Sequence, residues 1–147
     1  MIGNIKIIAV CMCKVYDERN YRIIRALNNF AVENDYRLFV YHTCSDLYWK
    51  TLSEKGEQSV FDLIDYNITD AVVTFEEGVY AENVMTKIRM DAAKYGKPVI
   101  SVGVEHDDCI SIKFGYAKGF EQVVRHVIEQ HGVRDIGFIA GRKDEEN

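Results

Sequence analysis

Short apolar runs alternate with longer amphipathic stretches along the whole chain, and that alternation is the pattern of a parallel sheet covered by helices on both faces. Strands are expected at Lys6 to Met12, Tyr36 to Thr43, Asp70 to Phe75, Pro98 to Gly103, Cys109 to Phe114 and Asp135 to Ala140. Helices are expected between them. The first covers Asp17 to Glu33, where Tyr21, Ile24, Leu27 and Phe30 or Ala31 recur at three- and four-residue intervals behind an acidic start. The second covers about Glu57 to Tyr66. The third covers Val79 to Tyr95, with Val84, Ile88, Ala92 and Tyr95 on one stripe and Gly96 as its stop. The fourth starts near Ala117 and carries Val123, Val124, Val127, Ile128 and His131 to Gly132, placed for a left-handed cap.

The fold class that follows is α/β: a Rossmann-like, doubly wound, mainly parallel sheet of about six strands with helices on both faces. With one proline and no tract rich in Gly, Ser or Pro, residues 1–147 read as a single α/β lobe. One connection is ambiguous. Val104 to Asp108 is too short for a helix, so strands four and five form either a hairpin or a bend that returns the chain at the sheet edge.

A net charge of −5 leaves no basic footprint for a phosphate backbone, so direct contact with nucleic acid is not expected. No apolar run reaches the length of a membrane span, and the run before Cys11 is too short for an export signal. Cys11, Cys13, Cys44 and Cys109 read as reduced thiols, three of them in or beside apolar strand-like runs, and a cytoplasmic location is expected.

Ligands of doubly wound sheets bind outside the carboxyl ends of the strands, where neighbouring connections leave on opposite faces. The candidate ligand-binding residues at that rim are Lys14 and Tyr16 after the first strand, Asp46 and Trp49 after the second, Glu76 after the third, and Gly115 and Tyr116 after the fifth. Tyr48 and Trp49 have the character of a stacking platform for a sugar ring or planar ligand, and equally of a loop folded onto the core.

Three chemical readings compete with ligand binding. Cys13 and Arg19 match the Cys-x5-Arg spacing of thiol phosphatases, but Asp17 and Glu18 place negative charge where an anion cradle needs open amides. Cys11, Cys13, His42 and Cys44 make a weak Cys3His zinc set at the ends of two adjacent strands, against which Cys11 reads as core packing. Glu76 and Glu77 form a carboxylate pair whose neighbours in sequence point apart, and His106 with Asp107 and Asp108 reads as a solvated turn. No Gly-x-Gly-x-x-Gly follows the first strand, and the end of that strand lacks the acids of a phosphoacceptor. No cofactor is expected, and neither is catalysis by this segment.

Ile7-Ile8-Ala9-Val10, the approach from Tyr66 to Thr74, and the unit from Gly119 to Gly141 resemble the LacI-type sensor domains of the type I periplasmic-binding-protein superfamily. Arg37 to Trp49, Ser59 to Tyr66 and Val123 to Glu129 look like the cytoplasmic members placed ahead of GGDEF diguanylate cyclase domains. The resemblance implies the N-terminal lobe of a two-lobed sensor, a small ligand held between lobes, a homodimer, and a parent that makes c-di-GMP through an output domain beyond Asn147. It departs from the family at Gly115, where members usually carry an acidic residue, and at Ala117-Lys118. The first departure removes an acceptor for a ligand hydroxyl, so the resemblance leaves open a non-sugar ligand or a scaffold that only dimerises and transmits.

Overall fold

The computed structural model describes residues 5–139 and divides the chain into two compact units, up to Lys113 and from Phe114 onward. In the first unit, β1 (Lys6–Cys13), β2 (Tyr36–Thr43), β3 (Ala71–Phe75), β4 (Val99–Val102) and β5 (Ile110–Ile112) form one sheet in the order β2-β1-β3-β4-β5. Every pairing is parallel. The helices of this unit are α1 (Glu18–Glu33), α2 (Leu52–Gln58) with a 3-10 turn over Ser59–Leu63, and α3 (Glu82–Lys94).

From β1 the chain steps outward to β2, whereas from β3 it steps the opposite way to β4. Right-handed crossovers in opposite directions put α1 and α3 on opposite faces and open a crevice at the carboxyl ends of β1 and β3. The core lies on the α3 side: Ala9, Cys11, Cys13 and Val72 from the sheet meet Phe61, Ile64, Met85, Ile88 and Ala92. Residues at alternate positions of β1 share a face, so Val10 and Met12 point to the α1 side, and both are also fully buried. At roughly 25 cal/mol per Å² of apolar surface, this two-sided burial of β1 makes it the strand on which the sheet depends most.

Several elements differ from the sequence expectation. The second helix starts at Leu52, earlier than Glu57, because Thr51 and Glu54 close a reciprocal capping box: Glu54 N donates to Thr51 Oγ1 at 3.2 Å and Thr51 N donates to Glu54 Oε2 at 2.9 Å. On α3 the buried stripe is Met85, Ile88, Arg89 and Ala92, while Tyr95 stands exposed and stacks on Tyr66 at 5.5 Å. The ambiguous link resolves as the bend, since β5 returns parallel to β4 after residues 103–109 alone. A parallel crossover ordinarily takes about a dozen residues. Here the strands are four and three residues long, so the return path is short.

In the second unit α4 (Tyr116–His131) ends at Gly132, whose φ of 64° is the left-handed cap read from the sequence. The expected sixth strand, from Asp135 to Ala140, does not form: residues 133–139 carry no regular structure, and Ala140 lies outside the described residues. A strand exists only against a hydrogen-bonding neighbour, and the described part of this unit contains no other strand. Among the described residues no helix is long and apolar enough to cross a membrane.

Candidate functional site

The loops after β1 and β2 meet at the crevice. Lys14 follows β1 directly; its amide donates to Thr43 O at 2.8 Å and its ammonium donates to Asp46 Oδ2 at 2.9 Å. The hydrogen bond with Asp46 raises the Lys14 pKa, and the same bond holds the Asp46 carboxyl below its usual range. The Tyr16 hydroxyl donates to Cys44 O at 2.8 Å, and its ring meets His42 edge-on. Glu57 accepts from Cys44 N, Ser45 N and Ser45 Oγ at 2.8, 2.9 and 3.1 Å, and the Ser45 amide leads in lowering its pKa.

Leu47 anchors this second loop, fully buried in the core with a φ of 64°. Lys14 and Lys50 share that left-handed backbone at φ 48° and 54°. Non-glycine residues take this conformation uncommonly and at a cost of about 1 kcal/mol or more, so three around one crevice mark loops held in place by their surroundings. Beyond Leu47, Trp49 is 77% exposed, with its ring edge-on to Tyr48, which is in turn edge-on to Tyr80, each pair 4.9 Å apart. Tyr80 N donates to Asp46 O at 3.0 Å, tying the loop after β3 to the loop after β2. The Trp49 amide donates to Glu54 Oε1 at 3.3 Å, so the cap of α2 also steadies the aromatic loop.

Glu76, at the end of β3, is turned away into a buried ionic cluster. Both of its oxygens lie 3.0 Å from Arg89 Nη1; Thr74 Oγ1 donates to Oε1 at 2.7 Å and His106 Nε2 lies 2.9 Å from Oε2. Burial pushes the Glu76 pKa up, but the bonds from Thr74 and His106 and the charge of Arg89 outweigh it and leave the carboxyl below its usual value. His106 is therefore not the solvated turn expected. Its side chain is mostly buried, and its backbone is clipped to Ser111, which receives a bond from His106 N at 3.0 Å. Glu77 points elsewhere, to Arg19 at 2.5 Å.

Lys14, Tyr16 and Asp46 thus stand together, with Trp49 on the same loop as Asp46. Gly115 and Tyr116 belong to the second unit, where Gly115 caps α4 and the Tyr116 ring lies 5.6 Å from that of Phe114. Sequence reasoning did not find Glu57, Tyr80 or Arg89, and it read His106 as a solvated turn. Arg89 had a usable signal: it falls one position from Ile88 and three from Ala92, a charged residue on a buried stripe.

The competing chemistries fare poorly in geometry. The β1–β2 register sets His42 opposite Met12 and Cys13 opposite Thr43, so His42 projects from the face opposite to Cys11 and Cys13. Among the described residues no group of three or more His, Cys, Asp or Glu side chains is arranged to hold a metal ion. Cys13 is buried and its thiol is pushed up to about 11, chiefly by that burial, which leaves little thiolate for nucleophilic attack. Cys11 is fully buried and its thiol is raised for the same reason.

No protein-family model matches this chain, and no curated protein matches it.

Proposed function

We propose that this chain is a ligand-sensing regulatory lobe of the LacI-type, periplasmic-binding-protein-like class, taking a small molecule at the carboxyl ends of β1 and β2. The observation that carries the reading is the meeting of the loops after β1, β2 and β3 beside the strand-order reversal, where Lys14 pairs with Asp46, Tyr80 N donates to Asp46 O, and Trp49 stands exposed on the Asp46 loop. A charge pair in which each side chain is about a third exposed offers both a donor and an acceptor to a polar ligand, and the indole offers a stacking face. Closure of a second lobe over that ligand supplies the difference in contact that shifts a two-state equilibrium. In a diguanylate cyclase parent, the shift alters how two GGDEF domains meet and so sets the output of c-di-GMP.

A second reading, a dimerising scaffold that transmits without a ligand, is favoured by α1, whose Tyr21, Phe30 and Val32 all stand exposed. Equilibrium dialysis of the full sensor against a panel of sugars and nucleotides separates the two. The sensor reading predicts saturable binding that Asp46→Ala weakens about tenfold or more, as loss of a charged hydrogen bond requires. A full sensor that dimerises and retains nothing from the panel supports the scaffold.

A further inference from the structure

His126 and His131 stand on the last turns of α4 with their Nε2 atoms 3.3 Å apart and their rings 5.1 Å between centroids, inclined at 74°. Five residues is an unusual spacing for two helical side chains to meet. His131 is the final helical residue, and its ring nonetheless meets that of His126. Both residues are exposed, and the cation beside them, Arg125, is occupied by Glu121 at 2.7 Å and Glu129 at 3.7 Å.

Two imidazole nitrogens at this separation share either one proton or one metal ion. Nitrogens each about 2.05 Å from a tetrahedral zinc ion stand about 3.3 Å apart, which is the separation present here. We propose that His126 and His131 form a two-histidine site for a borderline divalent transition ion, zinc foremost, with water in the remaining coordination positions. Each ring binds through Nε2 as neutral imidazole with its proton on Nδ1. The site lies within α4 alone and does not depend on the ligand reading above.

The test is calorimetric titration of Zn²⁺ into the full chain carrying Cys44→Ser and Cys109→Ser, which removes the two thiols that are not buried. One binding event is expected. His126→Ala or His131→Ala weakens it by more than about tenfold, since loss of even an outer-shell partner costs 10–100-fold. Side-chain NMR of the parent shows both imidazoles shifted together by zinc, while circular dichroism confirms that the variants keep their helix. No zinc uptake by the parent, or unchanged affinity in the double histidine variant, overturns the proposal and leaves a proton-sharing pair.

Discussion

Glu76 carries its charge where only 6% of its side chain meets water, and it does so because Arg89, equally buried, lies 3.0 Å away. Such a pair holds two elements in one arrangement while contributing little net stability, because desolvation offsets most of the attraction. Its signature is pH dependence. A carboxyl whose folded pKa is depressed contributes stability fully above its unfolded value, about 4.3, and loses it as pH falls through the folded value. Denaturant unfolding should therefore show stability falling below about pH 4.3, with Glu76→Gln flattening that acid limb relative to the parent. Parallel acid limbs in the two proteins would contradict the assignment. This cluster was only half legible in the sequence: Arg89 on an apolar stripe announces a buried partner, but the sheet alone decides which carboxylate comes within reach, and Glu76 and Glu77 look alike as letters.

The connection between β4 and β5 shows what an element can hide. Val104 to Asp108 was legible as too short for a helix, but the parallel return depends on Gly103, whose φ of 102° ends β4. A Cβ there would stand 2.6 Å from Glu77 Cβ and 3.0 Å from Glu77 N, next to the buried Glu76. Gly103→Ala is thus both strained and crowded against backbone, and thermal or chemical unfolding should register a loss of about 2 kcal/mol or more. Wild-type stability in that variant would mean that the turn relaxes elsewhere. Other elements were readable to different depths. The glycine stop of α4 was plain, because Gly132 follows an apolar stripe at the right distance. The start of α2 was missed although Thr51 and Glu54 have capping-box spacing, since the apolar residues that draw the eye, Val60, Phe61 and Ile64, belong to the 3-10 turn and its exit.

At the scale of the molecule, alternation of apolar runs with amphipathic stretches was enough to give a parallel sheet and helices on both faces, because side-chain periodicity and burial are local properties of the chain. The sixth strand was not legible, because Ile136 to Ile139 has the composition of a strand, while pairing depends on a neighbour that composition does not name. The crevice was legible for the corresponding reason: the strand-end rule places Lys14, Tyr16 and Asp46 at one mouth once the order β2-β1-β3 holds. The proposal that a ligand enters there has a built-in reporter, since Trp49 is the chain's single tryptophan and its ring stands exposed. Titration of sugars and nucleotides into this chain, followed by Trp49 emission, is the most direct measurement. The account predicts a saturable shift in emission that Lys14→Ala weakens. Saturable binding that leaves the emission unmoved and is indifferent to Lys14 would place the ligand elsewhere and contradict it.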